Sequence, residues 1–113
     1  MMLSITDETF PDQVLAATDP VLVHFWAPWC KLCRSIEPTL HQFQSQYPRP
    51  IRLVSVNADN NIKLANNYRL KTLPTILCFA DGRLMGRVEG FPGRDELRRT
   101  LEILGEQLLP TLV

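Results

Sequence analysis

Apolar positions follow a different spacing in each part of the chain, and each spacing predicts a different element. PVLVHFW, residues 20–26, is an apolar run broken only by His24. Such runs belong to strands covered on both faces of a sheet. From Cys33 to Tyr47, Ile36, Leu40, Phe43 and Tyr47 recur at intervals of three and four, which predicts a helix. Pro38 lies inside it and should bend it, because proline lacks an N–H and its ring crowds the preceding turn. IRLVSVNAD (residues 51–59) reads as a second strand and NNIKLANNYRL (60–70) as a short helix. PTILCFADGRLMGRVEG (74–90) reads as two strands around Asp81-Gly82, a dipeptide suited to a tight hairpin turn. Leu97, Leu101, Leu104 and Leu108 then form one stripe of a closing helix.

Near the start, Phe10, Val14 and Leu15 have helical spacing behind a candidate cap, Thr6 or Asp7. The order is a strand and helix, a strand–helix–strand unit, another helix, a hairpin and a final helix. Alternation of this kind predicts an α/β fold, a mixed sheet flanked by helices on both faces. No repeat or linker divides the 113 residues, so one domain spanning 1–113 is expected.

Composition narrows the function without naming it. Hydrophobic residues make up 45% and charged residues 21%, enough apolar matter for a packed core. Net charge is zero, which gives no global attraction to nucleic acid or to an anionic membrane. Its distribution is uneven: residues 1–30 hold Asp7, Glu8, Asp12 and Asp19, whereas every Lys and Arg falls at Lys31 or later. MMLSITDETF does not have the basic and then apolar pattern of a signal peptide. Nor does any apolar run reach the roughly 18 residues of a membrane span. Three cysteines do not make a disulfide-rich scaffold, so a reducing, cytoplasmic setting is expected; the chain is also expected to be a monomer.

The cysteines carry the candidate chemistry. Cys30 and Cys33 form a single CxxC, and three readings compete for it. Structural zinc asks for four ligands, whereas Cys78 stands alone and His24 and His41 lie at no ligand spacing. A purely structural disulfide would close so short a loop that it would stabilise little. The remaining reading is a redox couple, and position strengthens it. Cys30 falls where a buried strand gives way to a helix, and unpaired N–H groups at a helix start favour a thiolate. Lys31 and Arg34 add positive charge, and Cys33, one turn further in, would be the resolving thiol. Cys78 alternates with Ile76 and Ala80 on a buried strand and reads as a small core residue.

FWAPWCKLC, followed by TLPTILCFADG and then VEGF, resembles the thioredoxin family over nearly the whole chain. The resemblance implies a thioredoxin fold and thiol–disulfide exchange with disulfide-containing protein substrates. It also implies electrons from a thioredoxin-reductase-type donor and no cofactor within the chain. Cys30 would be the nucleophile, Cys33 the resolver, and Trp29 the aromatic neighbour that shields the site. Pro74 would be cis, exposing the Leu73 backbone to an extended substrate segment, and Gly90 would leave room for close approach. Lys31, Arg34, Arg69 and Lys71 would form a basic rim suited to acidic partner surfaces.

Three departures from ordinary thioredoxins carry information. Lys31-Leu32 stands where Gly-Pro is usual, and Leu32 has an N–H that can point at the Cys30 sulfur. A couple less reducing than thioredoxin's is therefore expected, above roughly −270 mV. His24 occupies the place of the family's buried acid, either as proton acceptor for Cys33 or as a satisfied core histidine. Ser55 replaces the accompanying lysine; losing both members of a buried pair leaves no uncompensated charge. Two other functions fit part of the pattern: a non-catalytic module binding through the Trp29/Pro74 groove, and a metal or cluster shared between two subunits.

Overall fold

The strand PVLVHFW becomes the middle of a five-stranded sheet. In the computed structural model, which describes residues 2–109, β2 (Val21–Trp26) has five of its six residues buried. It pairs in parallel with β3 (Arg52–Asn57) and antiparallel with β4 (Thr75–Ala80). A short β1 (Leu3–Ser4) extends the sheet beyond β3, and β5 (Arg83–Val88) extends it beyond β4. The order β1-β3-β2-β4-β5 is the mixed α/β sheet expected from the alternation of strands and helices.

Successive β2 side chains point to opposite faces, and each face has its own core. Leu22 packs with Ile36, Leu40, Ile76, Cys78, Leu97 and Leu101. Val21, Val23 and Phe25 pack with Phe10, Val14, Leu64, Leu77 and Phe79 on the other side. Burial on both sides explains why the strand needed an apolar run broken only at His24.

The helix expected over 33–47 begins earlier and is divided. α1 spans Lys31–Ser35, α2 spans Glu37–Gln46, and the axis breaks at Ile36. Bonds from Ile36 N–H to the Leu32 carbonyl and from Leu40 N–H to the Ile36 carbonyl, each 3.1 Å, carry the chain across. Pro38 withholds the bond that would have reached Arg34, which is why the bend lies here. α3 (Ile62–Asn67) and α4 (Arg94–Leu108) match the remaining helical patterns. Leu97, Leu101, Leu104 and Leu108 of α4 are all buried.

At the start, Thr6 and Thr9 exchange hydrogen bonds in the turn that leads to Phe10, the residue ahead of the first helical turn. Thr6 N–H donates to Thr9 Oγ1 at 2.9 Å, and Thr9 N–H donates back to Thr6 Oγ1 at 3.3 Å. A wide helical turn, Pro11–Leu15, follows. Asp7 caps a different helix: its carboxylate accepts from Leu64 N–H in α3 at 3.0 Å, and its own N–H donates to Asn61 Oδ1 at 2.8 Å. At the hairpin, Asp81 and Gly82 both have positive φ, 52° and 74°, as a tight turn between right-twisted strands requires. A Cβ on Gly82 would also sit 2.8 Å from the Leu15 carbonyl oxygen. Among the described residues, no helix is long and apolar enough to cross a membrane.

Candidate functional site

Where β2 ends at Trp26, a short loop delivers Cys30 to the start of α1. Cys30 is extended, with φ −92° and ψ 103°, and acts as the N-cap. Its Sγ accepts a hydrogen bond from Cys33 N–H at 3.2 Å. The expected donor was Leu32 N–H; the sulfur instead meets the amide one position further on, because an N-cap side chain bonds most readily to the third helical N–H. The two sulfurs are joined as a disulfide, with Cα atoms 5.3 Å apart. Cys33 is 1% exposed and Cys30 6%, so Cys30 is the sulfur nearer to solvent.

The residues around the pair divide into an exposed and a packed set. Trp29 is 68% exposed, and its Nε1–H donates to Asp59 Oδ2 at 3.2 Å, which holds the ring over the loop after β3. Lys31 and Arg34 point to solvent, and Arg34 Nη2 donates to the Pro28 carbonyl at 2.7 Å, tying α1 to its entry loop. Leu32 is half-buried against the core beneath α2 and α4, so much of its side chain serves packing. Trp29, Ala58, Leu70, Lys71 and Leu73 line one shallow depression beside the cysteines. Arg69 and Lys71 are both exposed, and Lys71 lines this depression.

The Leu73–Pro74 peptide bond is cis, with Leu73 half-buried and Pro74 buried. Gly90 has φ +69°, and a Cβ built there would meet nothing within 4 Å. Its constraint is therefore backbone conformation, and the space beside it is open.

His24 is fully buried in β2, on the same face as Leu22. Burial lowers its pKa to about 4, so the ring is neutral at physiological pH. Neither Nδ1 nor Nε2 has a hydrogen-bond partner among the described residues. Cys78 is buried and free, and burial pushes its thiol up to about 12, which keeps it protonated and unreactive. Among the described residues, no three His, Cys, Asp or Glu side chains gather as a metal site.

Sequence reading missed Asp59, the residue that orients Trp29. Asp59 stands 30 positions from Trp29 along the chain, and nothing in the local pattern of either residue signals the contact.

Comparison with known proteins agrees with this geometry. The thioredoxin family model matches residues 1–103. Thioredoxin 1 of Synechococcus elongatus is 38% identical over 99 residues, covering 88% of this chain and 92% of that protein. Thioredoxin 1 of Nostoc is 40% identical over 98 residues, covering 87% and 92%. A thioredoxin of Synechocystis is 36% identical over 98 residues, covering 87% and 92%. This chain's thioredoxin relatives support a protein disulfide oxidoreductase, and both cysteines are present and bridged at a helix start. The chain belongs to the thioredoxin family.

Proposed function

We propose that the reduced protein passes two electrons to disulfide-bonded protein substrates in the cytoplasm, working as a monomer. Cys30 thiolate attacks one sulfur of the substrate, the substrate S–S bond breaks, and a mixed disulfide forms with one substrate thiolate released. Cys33 gives its proton to neutral His24, attacks the Cys30 sulfur and releases the second thiolate. The protein is left with its Cys30–Cys33 bond, which a thioredoxin-reductase-type donor then reduces. The observation that carries this reading is Cys30 as N-cap, its sulfur accepting an amide hydrogen bond at a helix start. Amide donors and the helix dipole there stabilise negative sulfur.

Substrate recognition falls to Trp29, Lys31 and Leu32 on one side and Leu73, Pro74 and Gly90 on the other. Trp29 and Leu73 share a depression, Lys31 is exposed, and the space beside Gly90 is open; these features support an extended segment lying across the site. Leu32 supports it least, being turned partly into the core.

The couple is less reducing than thioredoxin's. Lys31 lies next to Cys30, and Leu32 keeps an N–H that helix geometry leaves without an intrahelical acceptor. Both favour the thiolate and so the reduced form. A bond from Leu32 N–H to the charged sulfur of the reduced form, which the bridged form does not make, would contribute on the order of 1.5 kcal/mol, or about 30 mV for a two-electron couple. Equilibration with glutathione buffers of known potential is expected to give a value above roughly −270 mV. Leu32→Pro is expected to lower it, and a wild-type value at or below −270 mV would remove the claim.

A further inference from the structure

His24, if it takes the Cys33 proton, cannot store it. The ring is fully buried, and its imidazolium is disfavoured in that surrounding. The proton therefore needs a way out, and strand register supplies one. His24 is paired directly with Ser55 in β3, and Ser55 is paired directly with Ser4 in β1. Directly paired residues present their side chains on the same face, so the three form one polar row across the sheet. Exposure rises along it: His24 is buried, Ser55 is half-buried, and Ser4 at the sheet edge is exposed. On the other side of His24 the row continues through Ile76 and Val88, which are buried and apolar.

The parallel rows offer no equivalent. Leu22 pairs with Leu53 on one side, and Trp26 pairs with Asn57 on the other, whose Oδ1 already accepts from Asp59 N–H. Neighbouring strands lie about 4.8 Å apart. No direct bond joins Ser55 to the ring, and a serine hydroxyl on one strand can reach an imidazole nitrogen on the next through one water. A hydroxyl both donates and accepts, which a relay requires.

We propose that Ser55, with Ser4 behind it, is the proton outlet of His24. One ring nitrogen accepts the Cys33 proton while the other passes its own to Ser55 Oγ. Ser55 releases its original proton to Ser4 or to water at the β1 edge. One proton leaves Cys33 and one reaches solvent; no electrons move, and His24 ends neutral in its other tautomer. When the Cys30–Cys33 bond is reduced again, Cys33 must regain a proton. Its return along the same row restores the first tautomer.

The inference rests on His24 as proton acceptor, and the experiment separates the two. Reduced protein is mixed with insulin in a single turnover, and release of reduced insulin is followed for wild type, Ser55→Ala, Ser55→Thr, Ser4→Ala and His24→Gln. Alkylation of Cys30 by iodoacetamide monitors the first thiol independently, and exchange of the His24 ring N–H is read by NMR. Ser55→Ala is expected to slow release about tenfold, a fraction of the 10² to 10⁴ typical of positioned proton transfer. It should slow ring N–H exchange as well and leave alkylation unchanged. Ser55→Thr, which keeps the hydroxyl, should restore both, and Ser4→Ala should have a smaller effect than Ser55→Ala. Slow release in His24→Gln with wild-type release and exchange in Ser55→Ala would overturn the outlet alone. Wild-type release in His24→Gln would overturn the acceptor role and the outlet with it.

Discussion

Replacing Cys30 by serine is expected to bring dithiothreitol-driven insulin reduction down to the rate without protein. Replacing Cys33 by serine should have a different result: one round of attack, then a covalent adduct that accumulates. The difference follows from position. Cys30 is the helix N-cap and the sulfur nearer to solvent, whereas Cys33 is 1% exposed and faces its partner across one turn. A serine hydroxyl at position 30 is far too weakly acidic to form the attacking anion near neutral pH, even with the same helix beneath it. A serine at 33 leaves the first step intact and removes the thiol that would cleave the mixed disulfide. Non-reducing electrophoresis of Cys33→Ser with insulin should show the adduct, and dithiothreitol should dissolve it. Equal loss of turnover in both variants with no adduct in Cys33→Ser would mean that the order of attack is wrong.

Acid should destabilise the protein through His24, and His24→Gln should remove that component. Above pH 6.5 the ring is neutral in both the folded and unfolded chain, so it adds no pH dependence. Below 6.5 the unfolded chain binds a proton that the buried ring refuses until about pH 4. The unfolded state therefore holds more protons in that window, and stability falls as pH falls through it. The slope is about 1.4 kcal/mol per pH unit, which gives a loss of about 2 kcal/mol at pH 5 and about 3 kcal/mol at pH 4. His24 is fully buried, so solvent screening takes little from this figure. Urea unfolding of wild type and His24→Gln at pH 7.5 and pH 5 tests it, because contributions from other groups cancel in the difference. Parallel losses in the two proteins would show that the ring is not held neutral by the fold.

Much of this architecture is written in local spacing. The run Val21–Trp26, the intervals Ile36-Leu40-Phe43-Tyr47 and the stripe Leu97-Leu101-Leu104-Leu108 declare which faces are buried. Burial imposes the two-residue period of a strand or the 3.6-residue period of a helix on a contiguous segment. Asp81-Gly82 marked the hairpin for the same reason, since positive φ is a local demand. Cys30 and Cys33 were legible as a redox pair because their spacing and their strand–helix junction are both properties of one short stretch.

Contacts between distant segments depend on strand order and register, which no single segment records. Asp7 looked like a cap for the helix that follows it, yet it caps α3, 57 positions away. Trp29 is held by Asp59, and the Cys30 sulfur meets the amide of Cys33 rather than that of Leu32. Local spacing was enough to specify the elements, their buried faces and the reactive pair. Strand register places Ser4, Ser55 and His24 in one row, and among the described residues none hydrogen-bonds the imidazole. Periodicity says that a side chain is inside, but its neighbours across the sheet are set by how remote strands align.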